Sequence, residues 1–183
     1  MGPHLQPMAP TPPPDVVARV RAGSPEALGA LYASAAPALA ALARRLTGSR
    51  EEAEDVLHDV FLGLPEALRS YDERGRFDQW LRRVTVRVAL TRLRTRRRRR
   101  EVHVPVDIPT PADGTGLEDR LALEQSVDAL PDALRAVLVL KMVEGYAHTE
   151  IAALLDITPR ASEQRLHRAV RMLRERLAPR RDG

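Results

Sequence analysis

The stretch from Leu130 to Leu177 constrains this chain most, because it combines helical periodicity, two helix-start signals and one tight turn. The first predicted helix begins at Pro131, where a missing N–H costs nothing, and ends near Gly145. A short second helix follows, and its apolar residues Ile151, Leu154 and Leu155 lie on one stripe. A turn at residues 156–158 then leads into a third helix. The order short helix, tight turn and long helix predicts a helix-turn-helix.

The third helix has two chemically different faces. Thr158 as N-cap and Pro159 at the next position give a strong start signal. The apolar residues predicted to pack inward are Leu166, Val170, Leu173 and Leu177. The opposite face carries Arg160, Gln164, His167, Arg168 and Arg171. Such side chains can bond base edges and phosphates in a major groove, although a basic helix face is often only a solvated surface. The negative charge of Glu163 would repel phosphates. Alternatively, its carboxylate accepts a hydrogen bond from a cytosine amino group, or it stabilises the helix N-terminus.

Composition narrows the fold class and excludes several functions. Of the 183 residues 44% are apolar but only 3% are aromatic, so Ala, Leu and Val build the core, which favours helices over a sandwich. The formal charge is +4, and Lys141 is the single lysine among 29 basic residues. The absence of cysteine excludes disulfide and thiolate metal sites and fits a reducing cytoplasm. No apolar run approaches the ~20 residues of a membrane span, and the first residues lack the charged start and apolar core of a signal peptide, so we expect a cytoplasmic protein without membrane insertion.

The N-terminal half reads as a series of helices after a tail. Residues 1–14 hold six prolines and predict a disordered tail. A short helix follows from Asp15 to near Gly23. Ser24 caps the next helix, which Pro37 should kink. The residues predicted to line its inner face are Leu28, Leu31, Tyr32, Leu39, Leu42 and Leu46.

An acidic helix follows, from Arg50 to about Ser70, with Ser49 as its cap. Its acidic and apolar residues predict a surface for a protein partner that is basic. The alternative is that these carboxylates only favour the helix N-terminus. His58 stands alone, and we expect it to be solvated rather than a metal ligand.

An arginine-rich helix follows the polar turn from Tyr71 to Phe77. Ten arginines and no acid lie between Arg82 and Arg100, a density that repels itself unless a polyanion neutralises it. Nucleic-acid phosphate is favoured over a lipid surface, because the apolar side of this helix resembles core. Residues 101–116 hold three prolines and two glycines and predict a linker. The expected architecture is therefore all-α: two small helical domains, 15–100 and 117–183, joined by a flexible linker, the second with the helix-turn-helix.

The order of these motifs resembles a bacterial sigma factor of the extracytoplasmic-function (ECF) type, within the sigma-70 family. The motifs that carry the resemblance in the first half are Glu52-Ala53-Glu54-Asp55-Val56, Asp59-Val60-Phe61-Leu62 and Phe77-x-x-Trp80-Leu81-x-Arg83-Val84. Those in the second half are Leu130-Pro131, Val143-Glu144-Gly145, Glu150-Ile151-Ala152 and Arg165-Leu166-His167-Arg168-Ala169. The likeness covers nearly the whole chain, from Asp15 to Leu177.

The resemblance implies a role for each part. Core RNA polymerase would dock its clamp helices on the first domain, through Glu54, Asp55, Leu57, His58, Asp59, Phe61 and Leu62. The −10 element would be read and melted by Tyr71, Asp72, Arg74, Gly75, Arg76, Phe77, Trp80, Arg83 and Arg87. Phosphates would be held by Arg94, Arg96, Arg97 and Arg98. The −35 element would be read by Arg160, Glu163, Gln164, His167, Arg168 and Arg171, in a domain that also contacts the polymerase flap.

The implied function is promoter-specific transcription initiation with core polymerase, and an anti-sigma factor is an optional further partner. No catalytic, metal or cofactor constellation is found in the sequence, so we expect no enzymatic activity and no cofactor. Two alternatives stay open: a sigma mimic that titrates an anti-sigma factor, and a stand-alone helix-turn-helix activator. Five positions depart from the family pattern: Pro65, which would break its helix early, Arg87, Ala147, Asp156 and Glu163.

Overall fold

The computed structural model describes the backbone of residues 14–72, 76–100 and 116–178, and the side chains of most of these. The proline-rich tail, the linker and residues 73–75 of the polar turn lie outside the described residues. Every regular element that the described residues form is helical, which confirms the all-α prediction.

The described residues of the first half form four helices. They are α1 (Pro14–Arg21), α2 (Pro25–Thr47), α3 (Arg50–Ala67) and α4 (Phe77–Arg100), and a single 3-10 turn (Leu68–Ser70) follows α3. Ser24 and Ser49 act as the predicted caps, since each hydroxyl accepts from the N–H three residues later. These caps fix where α2 and α3 begin.

Between residues 116 and 178, which the structure describes, the second half also forms four helices. They are α5 (Gly116–Asp128), α6 (Asp132–Met142), α7 (His148–Leu155) and α8 (Pro159–Leu177). Packing of α8 against α5, α6 and α7 forms this core. Leu130, Leu134, Leu138 and Ala169 are its buried centre.

The described helices form two compact units. One holds α1, α2 up to Arg44, α3 and α4 up to Arg92; the other holds Arg45–Gly48, the rest of α4, and α5 to α8. The predicted domain limits at residues 100 and 116 border the undescribed segment and stay predictions.

One buried arginine links several backbone segments of the second unit. Arg135, on α6, is 2% exposed and donates to the carbonyl oxygens of Asp128, Leu130, Leu46 and Thr47 at 2.7–3.1 Å. A buried guanidinium is tolerated only when its N–H groups are satisfied in this way. The sequence reading assigned no role to this residue.

Several local expectations were wrong. Tyr32 and Leu177 were predicted to face inward, but they are 48% and 40% exposed. The α3 helix continues through Pro65 to Ala67, although an interior proline removes one helical hydrogen bond and its ring crowds the carbonyl four residues earlier. Pro131 is the N-cap of α6 rather than its first helical residue.

The expectation that no apolar stretch nears the length of a membrane span was also wrong. By length and composition α2 could cross a bilayer, with a mean hydropathy of 1.3 over 18 residues. Leu31, Leu39, Leu42 and Leu46 of this helix are at most 1% exposed. The core helix of a folded domain meets the same criterion, and α2 is used as one.

Candidate nucleic-acid interface and docking face

The helix-turn-helix is held by contacts at both ends of its turn. The Ala161 N–H donates to Thr158 Oγ1 at 3.1 Å, which confirms the predicted cap of α8. Asp156 closes α7 in the left-handed conformation, with φ 53° and ψ 53°. Imidazole Nδ1 of His148, on α7, lies 2.8 Å from Ser162 Oγ on α8. These contacts set the angle at which α8 is presented.

The structure brings together all six residues predicted to read the −35 element. They are exposed along one face of α8: Arg160, Glu163, Gln164, His167, Arg168 and Arg171. The opposite face packs on the core through the fully buried Ala169 and the partly buried Leu166, Val170 and Leu173. A helix anchored on one side with a polar, mainly cationic face on the other is suited to enter a major groove.

An aromatic cluster supports the predicted −10 turn. The ring centroids of Tyr71 and Trp80 are 4.7 Å apart, and Phe77 lies 5.6 Å from both rings. Phe77 is 0% exposed and Tyr71 is 8% exposed, whereas Trp80 is half-buried. Burial gives Tyr71 and Phe77 a structural role at the base of the turn and leaves Trp80 as the accessible ring.

Arg21 fixes the start of the same turn, a contact that the sequence reading missed. Its Nε donates to the carbonyl of Leu68 at 3.0 Å and its Nη2 to that of Tyr71 at 2.8 Å. The guanidinium of α1 therefore orients the chain as it leaves the 3-10 turn. A helix-end arginine gave no periodic signal, and the partner carbonyls could not be foreseen.

The remaining −10 candidates divide into two groups. Asp72, Arg76, Arg83 and Arg87 are exposed, the last two one turn apart on α4. Arg74 and Gly75 lie outside the described residues. The exposed cations and Trp80 are those that a nucleic acid could reach.

The predicted phosphate contacts are only partly free. Arg94 donates to the carbonyl of Leu154, and Arg96 Nη2 lies 2.6 Å from Asp132 Oδ2. Arg98 is exposed, and the side chain of Arg97 lies outside the described residues. Arg94 and Arg98 are both exposed, and Arg94 also contacts a backbone carbonyl, so Arg98 is the better candidate for a phosphate contact.

The predicted docking residues on α3 fall on three faces. Leu57 and Phe61 are buried in the core at 5% and 7% exposure. Asp55 and Asp59 contact Arg92 of α4. Asp55 is also exposed, and the exposed group without a contact to Arg92 consists of Glu54, His58 and Leu62.

The exposed docking residues border an apolar groove between α2 and α3. Its lining comprises Pro25, Leu28, Gly29, Tyr32, Glu54, His58, Phe61 and Leu62, with a volume of about 560 Å³. The Tyr32 and Phe61 rings meet edge to face at 4.8 Å, and Leu62 is 73% exposed. An exposed apolar groove with an acidic rim is typical of a protein interaction site.

Within the described part of the chain, no group of three or more His, Cys, Asp or Glu side chains could hold a metal ion. The described residues thus belong to an all-helical protein with two structural units, one of which presents a helix-turn-helix.

Family comparisons give this class a name. The model of Sigma-70 region 2 matches residues 31–99, and that of Sigma-70 region 4 matches residues 120–173. The chain belongs to the sigma-70 family and, within it, to the ECF sigma factors.

Individual relatives agree with this assignment. The chain is 34% identical to the RNA polymerase sigma factor CarQ of Myxococcus xanthus over 87% of its length and 94% of the relative. It is 34% identical to the ECF sigma factor SigE of Mycolicibacterium smegmatis over 75% of its length but only 56% of that protein. It is 26% identical to SigW of Bacillus subtilis over 74% of its length and 81% of the relative.

Two solved structures share the fold. Sigma factor RpoE of Bartonella quintana, in complex with the anti-sigma factor NepR, matches with a TM-score of 0.55 and 22% identity over 79% of this chain and 92% of its own. CnrH, in complex with the cytosolic domain of CnrY, matches with a TM-score of 0.51 and 27% identity over 88% of this chain and 94% of its own.

Proposed function

We propose that this chain binds core RNA polymerase and directs it to promoters by reading a −35 element with α8 and a −10 element with the turn before α4. The observation that carries the proposal is the exposed face of α8. Six polar side chains share it, while the other side is anchored on Ala169. Arginine and glutamine on such a face have the donors and acceptors that base edges require.

The −10 contacts are proposed for Asp72, Arg76, Trp80, Arg83 and Arg87. A base can be read on its edges only after it leaves the stack, at a cost of a few kcal/mol. An accessible indole can stack on an unpaired base, and neighbouring guanidinium groups can hold the displaced strand. The buried rings of Tyr71 and Phe77 would support the turn and keep its backbone in place.

Core polymerase would dock on the groove between α2 and α3. Glu54 supplies negative charge at its rim, and Tyr32 and Leu62 supply apolar surface. A partner helix with basic and apolar residues complements this surface. An anti-sigma factor that covers the same groove would compete with the polymerase. The protein contributes recognition, and the polymerase contributes the chemistry.

The test is transcription with purified core polymerase on promoter libraries, followed by mapping of RNA 5′ ends. Start sites with shared upstream elements are expected from the full chain and core together. Absence of start-specific RNA, with retained anti-sigma binding, would instead favour a sigma mimic. Tight duplex binding as a dimer without polymerase would favour a stand-alone activator.

A matched pair of variants tests the α8 face. Gln164→Ala should change the preferred −35 sequence, because it removes a side chain that can bond a base edge. Gln125→Ala, at an exposed position of α5, should leave the preference unchanged. Equal effects of the two substitutions would refute the assignment of α8.

A further inference from the structure

One arginine of the arginine-rich helix is turned toward another helix of its own unit. Arg92 of α4 donates through Nε to Asp59 Oδ2 at 2.6 Å and through Nη1 to Asp55 Oδ2 at 2.7 Å. Both acceptors belong to α3, the helix that carries the proposed docking face. The sequence placed Arg92 within the arginine run that favours phosphate, but gave this residue no individual role.

The geometry uses the particular shape of a guanidinium. Asp55 and Asp59 lie one turn apart on α3, so their carboxylates point the same way. The planar fork of Arg92 reaches one carboxylate with each of two nitrogens, which a lysine could not do in the same fixed orientation. Its side chain is 30% exposed and that of Asp59 is 39% exposed, so the cluster is partly shielded from water.

Electrostatics agree with the contact distances. The hydrogen bond from Arg92 lowers the pKa of the Asp59 carboxyl below its usual range, and the charge of the guanidinium lowers it further. The same bond raises the pKa of Arg92. Both shifts favour the charged forms of Asp59 and Arg92.

This arrangement separates Arg92 from its neighbours in function. Arg83 and Arg87 are exposed. No hydrogen bond or ion pair described for α3 involves either side chain. The positive charge of Arg92 is already neutralised by two carboxylates, so it is poorly suited to a phosphate. Asp55 and Asp59 pair with the partly buried Arg92, whereas Glu54 pairs with Arg50 in an ion pair that is exposed on both sides and contributes little, so a basic partner can replace it more easily.

We propose that Arg92 is a positioning residue that fixes the DNA-contacting helix α4 to the docking helix α3. The inference rests on the proposed function. Polymerase would hold α3, while a promoter being melted would pull on α4 through Trp80, Arg83 and Arg87. The bidentate contact makes the two helices move as one body, so that docking energy is available for strand separation.

The experiment compares Arg92→Gln with the unchanged chain, each bound to core polymerase, on a duplex promoter and on the same promoter with a pre-melted bubble. We expect about a ten-fold slower formation of the open complex on the duplex, which corresponds to ~1.4 kcal/mol of barrier. On the bubble template the two proteins should differ by less than about two-fold, because no strand separation is required. Core-binding affinity should be unchanged.

Two further variants distinguish positioning from phosphate binding. Arg87→Gln should flatten the dependence of promoter binding on salt, because a counterion-releasing contact is lost. Arg92→Gln should leave that dependence unaltered. The charge-exchanged pair Arg92→Glu with Asp59→Arg should recover most of the rate on the duplex, because an oppositely oriented ion pair can form again.

Three results would overturn the inference. A flatter salt dependence in Arg92→Gln would make Arg92 a phosphate contact, and tighter core binding would make Asp55 and Asp59 docking charges with which Arg92 competes. Equal losses on duplex and bubble templates would mean that the substitution only damages the fold. Failure of the proposed function looks different, because the unchanged chain would then give no start-specific RNA with core polymerase.

Discussion

Asp132 and Arg135 form an ion pair within the first turn of α6, with Asp132 Oδ1 2.6 Å from Arg135 Nη2. Asp132 Oδ2 lies at the same distance from Arg96 Nη2 on α4. One carboxylate thus joins a buried and a half-buried guanidinium, and Arg135 adds four backbone carbonyls to this network. These polar contacts add to the apolar core of the second unit.

Removal of the buried guanidinium should destabilise the protein strongly. Arg135→Ala leaves four carbonyls without their donor and opens a cavity, so we expect a loss of about 3–5 kcal/mol in the free energy of unfolding. Urea denaturation followed by circular dichroism measures it. Arg69→Ala is the matched control, because its ion pair with Glu66 is exposed on both sides and should contribute little.

Acid should weaken the same network. Burial raises the pKa of Asp132, but the hydrogen bond from Arg96 and the charge of Arg135 lower it by more, so it lies below the usual value. A carboxyl with a lowered folded-state pKa adds stability above its unfolded pKa of about 3.9 and loses it as pH falls through the folded value. The stability difference between the unchanged chain and Asp132→Asn should be constant from pH 7 to 5 and shrink below about pH 4. A difference that grows on acidification would contradict this.

A side chain at Gly48 should disturb Arg135 directly. Gly48 has φ +71°, and a Cβ there would lie 2.8 Å from Cζ of Arg135. Gly48→Ala should cost about 1–2 kcal/mol for the left-handed backbone, and more because the guanidinium must move. Gly23→Ala has a similar φ of +85° but open space around it, so only the backbone cost applies. Thermal unfolding of both variants gives the comparison. Equal decreases in the unfolding temperature would show that the Arg135 side chain can move aside without cost.

Helix α7 of the helix-turn-helix lacks a side-chain N-cap, and a substitution at Ala147 should supply one. Ala147 occupies the N-cap of α7 with extended backbone, and its N–H already donates to Glu150 Oε2 at 2.8 Å. Ala147→Ser would add the reciprocal bond to the N–H of Glu150, with an expected gain of about 1 kcal/mol. Ala153→Ser, at an exposed interior position of α7, should instead be slightly destabilising. Urea midpoints of the two variants should move in opposite directions.

Arg168 should contribute to promoter choice. Arg168→Ala is expected to lose about 1–3 kcal/mol of discrimination at one −35 position, if the side chain reaches a guanine as its exposure permits. Transcription from templates with single −35 substitutions measures it. Loss of transcription by the same factor on every template would show instead that Arg168 holds a phosphate.

Elements with a local signal were predicted well. Thr158 and Pro159 determined where α8 begins, and Ser49 determined where α3 begins, because caps depend on neighbours only three residues away. The exposed face of α8 also followed from periodicity alone. By contrast, Tyr32 was assigned to the core because it shares a stripe with Leu28 and Leu31, and a stripe does not reveal where the next helix stops covering it.

The sequence alone determined the all-helical fold, the helix-turn-helix and the distribution of charge, because these depend on spacing and composition along the chain. Tertiary structure alone decided what each arginine does. In a run of ten similar side chains, Arg92 binds carboxylates of α3, while Arg87 remains exposed. Arg135, outside that run, is buried among backbone carbonyls. The reason is physical: an arginine has the same charge and donors everywhere, and only the acceptors that folding brings within hydrogen-bond distance decide its role.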